Sequence, residues 1–486
     1  MGRNMMTRRD FALSGGTTLA SAAAFSQPTP RREFFYRPQD AWAADFIPLF
    51  ARGEFYLFYL LDWRDRKNHG EGTPWYLVTT RDFVNFTERG EVLARGDAGE
   101  QDLYVFTGSA LEAEGRFHIF YTGHNPHLRK AGKPEEAVMH ACSDDLLHWR
   151  KQPGEMFFSP ADRFEPHDWR DPFVFWNPEA RQYWMLTAAR QKTGPSRRRG
   201  CTALSVSTDL RNWTVRDPIY APGLYFTHEC PDLFKIGGWW YLVFSEFSER
   251  LQTRYRMARS LEGPWLTPER DTFDSRAHYA AKTASDGKRR YLFGWLATRD
   301  QNKDYRSWNW GGNLVVHELW QAPDGTLNVR VPESVDRAIP KTAATREALR
   351  LEAPGSFRAQ AFGRMAERCK MEAAVTVDPG TRGAGILLRA SDDLESGYYV
   401  RLEPGQRRLV FDSWPRPGDV PYMVELERPF VMKPGETIEL KVLVDGSCCV
   451  VYAAGKLAMS TRLYNLKEGN WGVFVQEGSA AFSKME

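Results

Sequence analysis

The chain has 486 residues, too many for one ordinary core, so two domains are expected. Its 65 Lys and Arg against 62 Asp and Glu give a formal net charge of +3, with no long single-sign block. That balance removes the electrostatic reason to expect a nucleic acid or a membrane surface as partner. Aromatic residues are plentiful, with 17 Trp, 19 Tyr and 30 Phe, which suits sugar stacking and large β cores alike.

The amino terminus reads "MTRRDFALSGGTTLASAAAFSQP". Paired Arg8 and Arg9 precede a short, weakly apolar run of small residues that ends in "SAAA". This is the anatomy of a twin-arginine export signal over residues 1–26, cleaved around Ala24 to Ser26, and it implies a periplasmic or extracellular protein. The run is too short to span a membrane, and no later segment offers some 20 uninterrupted apolar residues.

From 34 to 336 one unit recurs five times: an apolar run, a polar turn and a second apolar run. The copies are "FIPLFARGEFYLFYLL" from Phe46, "ALEAEGRFHIFYTG" from Ala110, "PFVFWNPEARQYWMLTAA" from Pro172, "LFKIGGWWYLVFS" from Leu233 and "YAAKTASDGKRRYLFGW" from Tyr279. Between them stand "TTRDFVNF", "CSDDLLHW" and "VSTDLRNW", whose Asp82, Asp145 and Asp209 are 63 and 64 residues apart. These three aspartates read as turn and cap residues. Five all-β units of this length predict a five-bladed β-propeller, the period being too long for a β-helix.

Asp45, Ser109, Asp171, Glu229 and Tyr279 lie just ahead of, or open, the five hairpins, at separations of 64, 62, 58 and 50 residues. The first strand of each propeller blade lines the central channel, so equivalent positions converge on one funnel. Asp45, Asp171 and Glu229, distant along the chain, are therefore expected around one cavity. Residues 337–355 carry no sustained strand pattern and read as a connector. Short alternating segments with Gly, Pro and Asp turns then predict a C-terminal β-sandwich over 356–486.

Six cysteines are present, Cys142, Cys201, Cys230, Cys369, Cys448 and Cys449, and none has metal-ligand spacing. No dense Asp/Asn/Gly loop suggests calcium either. Neither a metal nor another cofactor is expected. Clustered carboxyl groups do suit glycoside hydrolysis, in which one protonates the leaving oxygen while another attacks the anomeric carbon or activates water. Arg170 beside Asp171 could help a third acid hold sugar hydroxyls.

These motifs resemble glycoside hydrolase family 32, which joins a five-bladed propeller to a C-terminal β-sandwich. "FTGS" (Phe106 to Ser109), "WRDP" (Trp169 to Pro172) and "ECPDLF" (Glu229 to Phe234) match its signature blocks in order and spacing. "HYAAKT", "YLFGW" and "WGGNLVVHEL" resemble its fifth blade, and "VDGSCCVVYAAGKLAMSTRLY" its last sandwich hairpin. The resemblance covers roughly residues 34–486. It implies Asp45 as nucleophile, Glu229 as acid/base and Asp171 as transition-state stabiliser, with retention through a covalent glycosyl-enzyme. It also implies that Trp42, Trp75, Phe106, Ser109, Arg170, Tyr279 and Trp295 shape the sugar pocket. The expected partner is an oligo- or polysaccharide, cut at a β-fructofuranosidic bond of sucrose, levan or inulin type. The nucleophile block departs from the family's Trp-Met-Asn-Asp-Pro-Asn-Gly: here it is "WAADFIPL", with Ala44 before the aspartate. The glutamine usual after the next strand is replaced by Leu60 or Leu61 in "FYLLDW". An inverting hydrolase of arabinose- or xylose-containing glycans on a similar propeller, or a carbohydrate-binding propeller without catalysis, fits the same pattern.

Overall fold

A computed structural model describes residues 30–339, 345–418 and 423–486. The expected export signal lies outside these residues. Four antiparallel strands, Trp42–Ala51, Glu54–Asp62, Trp75–Thr80 and Asn85–Leu93, make blade I. Blade II runs through Tyr104–Ala113, Arg116–His124, Glu136–Ser143 and Arg150–Lys151. Blade III is Phe164–Asn177, Gln182–Gln191, Gly200–Ser207 and Thr214–Tyr220. Blade IV is Glu229–Ile236, Trp239–Glu246 and Gln252–Ala258. Blade V is His278–Ser285, Arg290–Arg299 and Trp308–Gln321, extended by Leu327–Arg330.

Local chemistry sets these hairpins. Arg52-Gly53 and Glu114-Gly115 each join paired strands by two residues with φ between 51° and 80°. Positive φ at both central positions gives the turn whose twist matches the flanking strands. The recurring aspartates behave as expected. Asp82, Asp145 and Asp209 each accept two backbone N–H groups, from Val84 and Asn85, Leu147 and His148, and Arg211 and Asn212, at 2.8–3.0 Å.

Separate apolar clusters glue the blades. Phe58, Trp75, Val105 and Tyr121 pack between blades I and II; Phe120, Trp169 and Met185 pack between II and III; Leu186, Leu233 and Phe244 pack between III and IV. Gly312 of blade V pairs with Ala43 of blade I and closes the ring. Within blade V, a Cβ at Gly312 would stand 1.7 Å from the Leu296 carbonyl oxygen of the neighbouring strand, so glycine is needed where this strand crosses to blade I.

The C-terminal unit is a sandwich whose two sheets share the long strand Asn470–Ser483. Its first half pairs with Gly383–Ala390 and its second with Arg368–Val377, while Leu349–Arg364 runs along both halves. The switch falls at Gly478, with φ 153°, packed against Thr381. Leu349–Arg364 begins inside the stretch 337–355 expected to be a connector, and the helix Glu333–Ala338 enters that stretch from the other side. The strand forms because Leu351 and Ala353 are buried while Arg350 and Glu352 face out, a period-two alternation interrupted by Pro354 and Gly355.

A polar network docks the sandwich on blade V. Buried Asp274 accepts from the Ser275 and Ser460 amides, both at 2.6 Å, from the Ser460 hydroxyl at 2.5 Å and from His317 Nε2 at 2.8 Å. His317 Nδ1 lies 2.9 Å from the Tyr452 hydroxyl. Burial alone would push the Asp274 carboxyl up, but His317 and the Ser460 hydroxyl hold it well below the usual carboxylate range. A carboxyl depressed in the fold contributes stability above the unfolded value near 4 and loses it as pH falls. Asp274→Ala should therefore cost about 3 kcal/mol at pH 7, read as a lower unfolding midpoint, with a smaller penalty at pH 3.

Candidate active site

Each innermost strand carries a β-bulge at one level of the funnel. The register breaks fall between Ala44 and Ile47, Phe106 and Gly108, Arg170 and Phe173, Glu229 and Asp232, and Tyr279 and Lys282. Asp45, Asp171, Cys230 and Ala280 occupy the bulges of blades I, III, IV and V with φ of 46°, 58°, 51° and 50°. Non-glycine residues hold this left-handed region at a cost of order 1–3 kcal/mol each, and such strain gathers at functional sites.

A cavity of about 1020 Å³ opens over these bulges and is lined by Asp45, Asp171 and Glu229 together. Asp45 is pinned through both oxygens. Thr107 Oγ1 donates to Oδ2 at 2.5 Å and Trp295 Nε1 donates to Oδ1 at 2.8 Å. Asp171 Oδ2 accepts from the Cys230 amide at 2.9 Å, and its own amide donates to Thr122 Oγ1 at 2.7 Å. The Thr122 hydroxyl donates in turn to the Thr107 carbonyl of the same blade at 3.0 Å, so the Asp171 amide is tied through Thr122 to the innermost strand of blade II. Glu229 sits between a cation and a phenol: Arg170 Nη2 donates to Oε1 at 3.2 Å and the Tyr279 hydroxyl to Oε2 at 2.7 Å.

Arg170 is the hub of this charge. Its Nη1 also meets Asp168 at 2.8 Å and Glu136 at 3.4 Å, and its Nη2 meets the Thr227 hydroxyl at 3.3 Å. Burial pushes the Asp45 carboxyl up to about 6, against the pull of its Thr107 and Trp295 donors. Asp171 rises to about 7, driven first by burial, with Arg170 opposing and the Glu229 charge adding to the rise. Among the described residues, these carboxylates are not part of a group whose ligand atoms lie close enough together to share one metal ion.

The pocket residues expected from sequence divide. Phe106, Arg170 and Tyr279 line the cavity, and Trp295 reaches Asp45 from behind. Trp75 does not: it is fully buried between blades I and II, its indole N–H donating to the carbonyls of Val105 and Phe106 at 3.1 and 3.2 Å. Ser109 is also off the cavity, buried with its hydroxyl accepting from the Val174 amide at 3.0 Å. The bulge in blade II falls at Thr107, two residues earlier, so Ser109 lies past the turn-in and Thr107 takes the channel position. Trp42 is not a lining residue. It is clasped between the guanidinium groups of Arg37 and Arg64, 4.6 and 4.7 Å from its ring, and Arg64 is the one that reaches the cavity.

Thr107 and Glu136 were not found from sequence. Thr107 stands inside the quoted "FTGS" and is 62 residues after Asp45, a period that could have identified it. Glu136 is buried, accepts from the Trp169 amide at 2.9 Å and lies on the third strand of blade II, outside the five-fold register, so nothing in the repeat marks it. The aromatic rim is likewise new: Trp63, Phe226, Phe247 and Trp310 line the cavity, with Trp310 39 % exposed. Leu60 lines the wall where the family pattern would place an amide.

Because both carboxyls are raised from about 4 in the unfolded chain, the fold loses stability as pH climbs through about 6 and 7. Asp171→Asn, which can keep the Cys230 hydrogen bond through its amide oxygen, should raise the thermal midpoint at pH 8 by the equivalent of about 1–2 kcal/mol. The gain should vanish at pH 4, as thermal scans across that range would show.

Comparison with known proteins agrees with this geometry. The model of the glycosyl hydrolases family 32 N-terminal domain matches residues 36–328. The chain is 29 % identical over 275 residues to a sucrose-6-phosphate hydrolase of Escherichia coli, covering 52 % of this chain and 54 % of that protein. It is 22 % identical over 489 residues to a levanbiose-producing levanase of Bacillus subtilis, covering 94 % and 90 %. The chain thus spans about half the length of the sucrose-6-phosphate hydrolase it matches and most of the levanase. Among solved structures, fructan 1-exohydrolase IIa from Cichorium intybus superimposes with a TM-score of 0.71 at 18 % identity, covering 94 % of this chain and 97 % of that one. With the matched domain spanning blades I to V and the sandwich following it, the chain belongs to glycosyl hydrolase family 32.

Proposed function

We propose that this protein is an exported, retaining glycoside hydrolase that cleaves β-fructofuranosidic bonds of sucrose, levan or inulin type. The observation that carries the reading is that Asp45 and Glu229 line one cavity in contrasting settings. Asp45 is held by a hydroxyl and an indole N–H, both donors, an arrangement that selects the ionised carboxylate. Glu229 lies beside Arg170 and Tyr279 at the cavity wall. The similarity to a levanase and to sucrose-6-phosphate hydrolases supports a fructosyl substrate.

In this reading an Asp45 oxygen forms a bond to the anomeric carbon as the bond to the leaving oxygen breaks. Glu229 gives its proton to that oxygen. Water then attacks the same carbon, its proton passes to Glu229, and the Asp45 carboxylate is released. Asp171, held over the floor by the Cys230 amide and partly protonated near pH 7, can donate to or accept from ring hydroxyls. The aromatic rim offers apolar faces for the leaving sugar. Export rests on the paired Arg8 and Arg9 and places the enzyme in the periplasm or outside the cell.

The purified protein incubated with sucrose, levan, inulin and arabinofuranosides should release fructose, with the β-anomer appearing first in time-resolved NMR. First release of the opposite anomer would replace the covalent route with inversion, and release of only another monosaccharide would reassign the sugar. Glu229→Gln should lower kcat by about 10²–10⁴-fold on substrates with poor leaving groups while leaving ligand binding measurable.

Only ionised Asp45 attacks, so kcat/KM should rise with pH through an acid limb near 6. Trp295→Phe removes a donor that favours the carboxylate, and should move that limb to higher pH in the measured profile.

A further inference from the structure

Blade II holds a second cluster of ionisable side chains, none of which lines the cavity. His118 stands on Arg116–His124, and His140 and Cys142 stand two apart on the neighbouring Glu136–Ser143. Positions two apart share a face of a strand, and His118 is the direct cross-strand partner of Cys142. All three are buried. His118 Nδ1 lies 2.9 Å from His140 Nε2, and Cys142 Sγ lies 3.6 Å from the first and 3.4 Å from the second.

The outer ring nitrogens are already committed. His140 Nδ1 is 2.5 Å from Glu155 Oε2, a contact that requires the proton on Nδ1. His118 Nε2 is 3.3 Å from the Ala113 carbonyl oxygen, with the same requirement. A neutral imidazole has one N–H. With both spent outward, two lone pairs face each other at 2.9 Å beside a thiol. A cation accepting both lone pairs removes the conflict. Outward hydrogen bonds to a carboxylate and a carbonyl are also the contacts that orient metal-ligating histidines.

We propose that His118 Nδ1, His140 Nε2 and Cys142 Sγ bind one zinc ion, with solvent as fourth ligand. Tetrahedral zinc with bonds of about 2.0 Å to nitrogen and about 2.3 Å to sulfur sets nitrogen and sulfur about 3.5 Å apart. The two observed separations bracket that value, and the nitrogen–nitrogen edge has to open by only about 0.4 Å. The thiol releases its proton to solvent on binding. One thiolate and two imidazoles select a borderline ion over calcium or magnesium. Of the arginines around the cluster, Arg116 is paired with Asp144 at 2.9 Å and Arg211 with Glu155 at 3.5 Å, while Arg150 is the cross-strand neighbour of Cys142. Through Glu155 the ion also secures the turn Pro153–Glu155 against the blade. The absence of ligand spacing along the chain does not bear on such a site, because its ligands meet across strands.

The full-length protein purified from zinc-supplemented medium and desalted should carry about one zinc per chain by mass spectrometry of the elements. After exchange with cobalt it should show thiolate-to-cobalt charge-transfer absorption, absent in Cys142→Ser and retained in Cys201→Ser. Chelation should lower the thermal midpoint of the parent by several degrees and leave Cys142→Ser unmoved. No stoichiometric metal together with no charge-transfer band in the parent overturns the proposal, and so does a band that survives Cys142→Ser. Copper in place of zinc overturns the choice of ion. Should Cys142→Ser fail to fold, the parent's cobalt spectrum decides alone.

Discussion

The bulge in the innermost strand of each blade is the constraint on which this site depends. A regular strand would alternate its side chains between the two faces of the blade and aim none of them down the channel. One extra residue, held at positive φ, turns Asp45 and Asp171 toward the axis and leaves Glu229 and Tyr279 just before the bulges of blades IV and V. Four such positions are occupied by aspartate, aspartate, cysteine and alanine, with no glycine to relieve the strain. The interblade cores and the Gly312 closure hold the ring rigid enough to sustain it.

Gathering acids in a partly dry funnel carries an electrostatic cost, and its distribution matters more than its total. Arg170 contacts Glu136, Asp168 and Glu229, so it offsets charge on one side of the cavity. Asp45 instead accepts from the neutral donors Thr107 and Trp295. The two carboxyl groups of the proposed reaction thus face different surroundings. Among the described residues, the sandwich contributes none to the cavity lining; its polar network around Asp274 and His317 braces blade V, which carries Tyr279 and Trp295.

The wall around Asp45 is less polar than the family pattern would give. Ala44 is buried and Leu60 lines the cavity, so fewer hydrogen bonds can reach a sugar there. Aromatic surface compensates at the rim, where Trp63, Phe226, Phe247 and Trp310 gather from three blades. In the proposed reading, substrate choice rests more on stacking and shape at the mouth than on amides at the floor.

Sequence periodicity by itself determined the five blades, the following sandwich, the turn aspartates and the convergence of Asp45, Asp171 and Glu229, because strand alternation and a blade-length repeat are local properties of the chain. The strand at Leu349 was expected to be connector, because its alternation "LRLEA" is short and is broken by Pro354 and Gly355. Tertiary structure alone decided which neighbour of each bulge faces the channel, since a shift of one residue exchanges the faces of a strand. That is why Thr107 replaced Ser109 and why Trp75 belongs to the core. It alone brought Glu136 to Arg170 and His118 to His140 and Cys142, because those contacts cross between strands and blades and leave no spacing in the sequence to read.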